Sequence, residues 1–108
     1  MPTRRMFLAG GLAAAGLSGA AFGQEASRLL APLREGGRVL ILRHAQTEPG
    51  VGDPAGYRLD DCSGQRNLND LGKRQSRRLG EALAEAGIEL TRALSSRWCR
   101  CVDTARIA

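Results

Sequence analysis

The sequence predicts an α/β domain built on a parallel sheet, and three observations carry that prediction. Val39 to Leu42 is an unbroken apolar run of strand length. Asn69 to Gly87 spells a capped amphipathic helix. Arg92 to Ser96 is a second short strand with a helical stretch after it. Strand, long loop, helix, strand and helix in that order read as the start of a sheet joined by a right-handed parallel crossover. At 108 residues the chain amounts to at most one small domain.

The domain is expected to begin after residue 23. "TRRMFLAGGLAAAGLSGAAFGQ" opens with Arg4-Arg5, brings in Phe7 and Leu8, and runs on through Ala, Gly and Leu to small residues at Ala21 and Gly23. These are the charged, apolar and cleavage regions of a secretory signal, and the paired arginines point to the twin-arginine (Tat) route. The apolar run is too short and too rich in glycine for a stable membrane span. Residues 1–23 are therefore expected to be a Tat-type signal peptide, cut before Gln24. The Tat export machinery becomes a partner, and the periplasm or the exterior the destination. Residues 24–108 then form the mature part, with 14 basic residues (16 less Arg4 and Arg5) against 11 acidic ones, or +3.

Along the mature part, Leu29, Leu30 and Leu33 fall at helical spacing between Ala26 and Glu35, with Ser27 as a cap and Gly36-Gly37 as the stop. Val39 to Leu42 does not alternate, which suits a strand buried on both faces. Ala45 to Arg66 shows no periodicity and is punctuated by Pro49, Gly50, Gly52, Asp53, Pro54 and Gly56. A loop of about 22 residues is long for a small domain, and such loops commonly carry function. Asn69 caps the next helix with Asp70 in its first turn. Leu71, Gln75, Leu79, Ala82, Leu83 and Ala86 line one face, Lys73, Arg74, Arg77, Arg78, Glu81 and Glu85 the other, and Gly87 ends it.

Composition removes several classes. Fifteen of the 16 basic residues are arginine, which favours bidentate recognition of phosphate or carboxylate. Nucleic-acid binding needs basic clusters interleaved with stacking aromatics, and Phe7, Phe22, Tyr57 and Trp98 are the only aromatics in the chain. In an oxidising compartment, Cys62, Cys99 and Cys101 give one disulfide and one thiol left over. With His44 they lack the spacing of a zinc site, so neither a metal nor any other cofactor is expected.

Ligands of an open α/β sheet bind beyond the carboxyl ends of its strands. Arg43 and His44 lie at that end of the first strand, Ser95 and Ser96 at that of the second, and Arg100 in the first turn of the helix that follows. Two guanidiniums, an imidazole and a helix N-terminus then converge, as an anionic phosphoryl group requires. A neutral imidazole can be the nucleophile, forming a phosphohistidine that water hydrolyses, while the arginines stabilise the transferring oxygens.

Three stretches resemble one known family in order and spacing. "LILRHAQTE" looks like the Arg-His-Gly signature of the histidine phosphatase superfamily, with Ala45 at the usual glycine. "LNDLGKRQ" resembles its Leu-Ser/Thr-x-x-Gly-x-x-Gln helix start at Leu68, Asn69, Gly72 and Gln75. "SSRWCRCVDTA" resembles its Ser-Pro-Leu-x-Arg-Ala-x-x-Thr-Ala segment, with Arg100 on the arginine and Thr104-Ala105 at the end. The resemblance covers roughly Val39 to Ala108. It implies the three-layer phosphoglycerate mutase-like fold, of which the chain would hold the N-terminal part. It also implies phospho-His44 as the intermediate, Arg43 and Arg100 as phosphate ligands, and Thr47 as a pocket hydroxyl. Arg66 is a candidate for the same pocket or for a solvated loop.

The family asparagine a few residues after the signature is absent, with Gly50 in its approximate place, and no second histidine follows. An exported phosphatase acting on a phosphorylated small molecule or envelope component is expected. Its rival is a non-catalytic anion-binding protein of the same fold. On a helix, Cys99 and Cys101 project about 200° apart, and Cys101 stands at the family's packed alanine position, so the resemblance favours a Cys62–Cys99 bridge with Cys101 reduced. With two strands and few large apolar residues, residues 24–108 alone are expected to be marginally folded and inactive. A cooperative thermal transition above roughly 45 °C with His44-dependent turnover would show otherwise.

Overall fold

The starts and stops of the helices set the frame of the molecule. A computed structural model describes residues 28–108; the signal segment assigned to residues 1–23 lies outside the described residues. The first helix, α1, spans 28–34, and α2 and α3 are Asp70–Glu85 and Cys99–Ile107. A single 3-10 turn, Cys62–Gly64, interrupts the long loop.

α1 stops where glycine makes stopping cheap. Gly36 and Gly37 both take positive φ, 78° and 69°, which only glycine adopts without cost. Arg34 ties this helix to the far end of α2, its Nε donating to the Ala86 carbonyl at 2.5 Å.

α2 begins at Asn69, whose side-chain oxygen accepts from the Gly72 N–H at 2.8 Å. It ends in a Schellman motif: Ile88 N–H donates to Leu83 O and Gly87 N–H to Ala84 O, with Gly87 at φ 70°. Leu83 and Ile88, the two positions whose apolar side chains accompany this motif, are both buried. The inward face differs from the predicted one. Leu71 is 46% exposed and Gln75 is exposed too, while Gly72, Ser76 and Leu83 are buried. The reason is what α2 packs against. Its first turns meet the backbone of the segment after His44, and a Cβ on Gly72 would overlap the Gln46 carbonyl oxygen. Further along, Gly80 lies against the Ala108 backbone at the end of α3. Close backbone approach selects small residues over leucine.

α3 starts without a cap of its own. Trp98 gives no side-chain hydrogen bond there; the buried Gln65 reaches over from the loop, and its Oε1 accepts from the Cys99 N–H at 2.9 Å. The bridge Cys62–Cys99, with Cα atoms 5.7 Å apart, closes the same junction covalently, and Cys101 is a free, half-buried thiol.

The predicted sheet is where the structure departs from expectation. Among the described residues there are two isolated β-bridges, Thr47 with Leu68 and Arg58 with Asp61, and no strand. Residues 39–42 and 92–96 have no ladder partner, and their apolar side chains face outward: Val39 is 83% exposed, Ile41 87% and Leu94 79%. A parallel strand is stabilised by neighbours on both edges and layers on both faces; neither segment has them here.

The Gly72 contact yields a stability prediction. Gly72→Ala is expected to lower the unfolding midpoint, because overpacking against backbone costs roughly 1–3 kcal/mol and outweighs the helix-propensity gain of at most about 1 kcal/mol. Thermal unfolding by circular dichroism, with Lys73→Ala as the neighbouring control, checks it.

Candidate functional site

His44 enters the structure on a segment held from two sides. The Ala45 N–H donates to Thr104 Oγ1 of α3 at 3.0 Å, and Thr104 Oγ1 donates back to Arg100 O at 2.7 Å. On the α2 side, Gln46 N–H donates to Gln75 Oε1 at 3.0 Å, and Gln46 O accepts from Asn69 N–H at 3.1 Å. The Asn69 amide also donates to Thr47 O at 3.3 Å. The residues that begin α2 therefore serve a second purpose, fixing the backbone beside the imidazole.

The imidazole is half-buried, and its Nδ1 lies 2.8 Å from the Ala45 carbonyl oxygen. A carbonyl can only accept, so a hydrogen bond here places a proton on Nδ1, and in the neutral imidazole the lone pair is then on Nε2. That is the tautomer a nucleophilic histidine requires. His44 borders a cleft of about 370 Å³ together with Arg43, Thr47, Glu48, Arg66 and Gln75. A smaller space of about 230 Å³ adjoins it, lined by Leu42, Leu79 and Thr104, again with His44.

Of the residues expected at the site, Arg43, His44 and Thr47 share the cleft, and Arg66 joins them from the end of the long loop. Thr47 is buried. Arg100 does not line the cleft. Its side chain is 10% exposed, and Nη1 donates to Asp53 Oδ1 at 3.0 Å and to Arg66 O at 3.4 Å. The guanidinium carbon lies 4.3 Å from the centre of the Trp98 ring, which in turn meets the Tyr57 ring in a tilted contact with centroids 4.7 Å apart. Asp53 also accepts from the Arg66 N–H at 2.9 Å, so one carboxylate oxygen joins the arginine of the cleft to the arginine of α3. Arg66 Nη1 donates to Val51 O at 3.2 Å. The Nε groups of Arg66 and Arg100 are buried and have no partner among the described residues.

Among the loop carboxylates, Asp60 pairs with Arg58, and Asp61 caps the 3-10 turn through Ser63 N–H. Glu48 is the one that faces the cleft. The sequence assigns no site role to Asp53, Gln65 or Trp98, and Thr104 enters it only as a matched position of the Arg100 segment. Asp53 stands in a glycine- and proline-rich stretch whose composition signals a turn and nothing more, and Gln65 carries no local signal at all. Among the described residues no cluster of three His, Cys, Asp or Glu is arranged to hold a metal ion, and no helix is long and apolar enough to cross a membrane.

The Asp53 carboxyl is held below the usual carboxylate range, first by the Arg66 N–H and then by Arg100, against desolvation. A carboxyl with a depressed folded pKa stabilises the protein above its unfolded pKa and loses that contribution as pH falls through the folded one. Relative to Asp53→Asn, the wild type is therefore expected to hold a constant stability advantage from neutrality down to about pH 4, which closes below that. Urea unfolding over a pH series measures the gap.

No curated protein and no solved structure matches the chain. The family model of the histidine phosphatase superfamily (branch 1) does, over residues 39–108, which is 70 of the 108 residues and includes every group of the cleft. On that match the chain belongs to the histidine phosphatase superfamily.

Proposed function

We propose that the protein is an exported phosphomonoester hydrolase that works through a phosphohistidine on His44. Family membership supports phosphatase-like chemistry. The observation that carries the finer reading is the Nδ1 contact of His44 with the Ala45 carbonyl, which in the neutral imidazole makes Nε2 the nucleophilic nitrogen, beside a cleft containing Arg43 and Arg66. Nε2 attacks phosphorus, the P–O bond to the alcohol breaks, and the alcohol departs and takes up a proton. Water then attacks the phosphohistidine, releases inorganic phosphate and returns the neutral imidazole. Arg43 and Arg100 are the phosphate ligands of this reading, and Thr47 a pocket hydroxyl. The charge they supply is what phosphoryl transfer draws on, since its barrier is lowered chiefly by positioning and electrostatics.

The same reading takes residues 1–23, with Arg4-Arg5, as a Tat signal, and the substrate as a phosphorylated small molecule or envelope component. It takes the architecture as the phosphoglycerate mutase-like parallel sheet, with 39–42 and 92–96 as strands. The outward-facing Val39, Ile41 and Leu94 are the apolar surface such a sheet buries. A second reading, an anion-binding protein without turnover, is favoured by one observation: Arg100 is engaged by Asp53 and stands outside the lining of the cleft.

The two readings separate in one experiment. Incubating the full-length protein with a labelled aryl phosphate is expected to give an acid-labile, base-stable adduct on His44, and His44→Ala to abolish turnover. Wild-type turnover in that variant overturns the mechanism; phosphate binding without an adduct selects the second reading. Arg100→Lys is expected to lower kcat on the order of 100-fold, since a point charge does not replace a bidentate fork.

A further inference from the structure

We propose that Asp53 is the positioning residue of Arg100: its carboxylate saturates one end of the guanidinium and keeps the Nε–Nη2 edge unpaired, in the orientation in which an oxyanion would complete it. The inference rests on the reading that Arg100 is a phosphate ligand. A guanidinium has five N–H donors, and the structure accounts for those of Nη1, one on Asp53 Oδ1 and one on Arg66 O. Trp98 covers one face of the plane. What is left is the edge formed by Nε and Nη2. Nε is buried without a partner, and Nη2 makes no hydrogen bond among the described residues. Two parallel N–H groups on one edge are the geometry that a phosphate or carboxylate accepts bidentately. A buried donor with nothing to bond is costly in a folded protein unless a ligand completes it.

Asp53 holds this geometry because it is itself held. Its Oδ1 accepts from the Arg66 N–H at 2.9 Å, and its side chain is 17% exposed. The loop residue that lines the cleft and the helix residue that offers the free edge thus share one acceptor. The bridge Cys62–Cys99 closes the same corner, joining the loop to the residue before Arg100. The arrangement fixes the guanidinium in rotation about its own axis, which the long arginine side chain does not do unaided.

The test compares Asp53→Ala with Asp53→Asn in the full-length protein, reading the Kd for inorganic phosphate by calorimetry and the KM and kcat for an aryl phosphate. Alanine removes the acceptor, and the Kd for phosphate is expected to rise on the order of 10- to 100-fold, the range of one charge-assisted hydrogen bond. Asparagine keeps an oxygen at Oδ1 and is expected to bind phosphate within about threefold of wild type, a rescue that loss of charge alone would not allow. Should the alanine variant fail to fold, Asp53→Glu, which displaces the carboxylate by one methylene, is expected to show the same weakening. Unchanged or tighter phosphate binding in the alanine or glutamate variant overturns the inference, as does equal weakening by asparagine. A wild type that binds phosphate in this Asp53-dependent way but hydrolyses nothing removes the hydrolase reading and leaves this one standing; a wild type that binds no phosphate overturns both.

Discussion

The packing of α2 against the backbone at Gln46 is the constraint on which the site depends. Gly72 lets a helix and an extended segment approach until main chain meets main chain. That approach brings Asn69 and Gln75 within reach of Gln46 and Thr47, and their hydrogen bonds leave the segment no freedom to slide. His44 lies just before this fixed stretch, and Thr104 secures the same stretch from α3. The imidazole owes its place to two helices, neither of which carries it.

Charge is organised around a different centre. Arg43 is exposed, Arg66 half-buried and Arg100 buried, so one neighbourhood holds three guanidiniums in three environments. Two carboxylates stand against them: Asp53 accepts from Arg100 and from the Arg66 N–H, and Glu48 borders the cleft with Arg43 and Arg66, while Asp60 is paired with Arg58 and Asp61 with the 3-10 turn. The Trp98 ring face adds a weaker attraction to the Arg100 guanidinium. Three guanidiniums against two carboxylates leave the neighbourhood with net positive character.

How much of this was legible in the sequence depends on the range of the interaction involved. α2 was readable to the residue because its signals are local: Asn69 at the start, Gly87 at the end, charges on one side. Its buried face was misjudged because burial depends on the packing partner, and a backbone partner selects Gly72 and Ser76 over Leu71. The apolar run 39–42 and the short segment 92–96 look like strands locally, but a ladder is a property of two segments, and neither has one among the described residues. The Arg-His pair was visible from its position after an apolar run. Asp53 was not, because a carboxylate in a turn-rich loop looks the same whether it meets solvent or a buried guanidinium.

The disulfide has a topological meaning beyond rigidity. Cys62 follows His44 in the chain, and Cys99 directly precedes Arg100. The covalent ring they close contains all of α2 and the exposed stretch 89–97. A protease that cut the main chain in that stretch would not part the imidazole from the arginine, because the shorter path between them runs through sulfur. In an extracellular setting, a nicked molecule of this kind remains a single covalent entity until it meets a reductant.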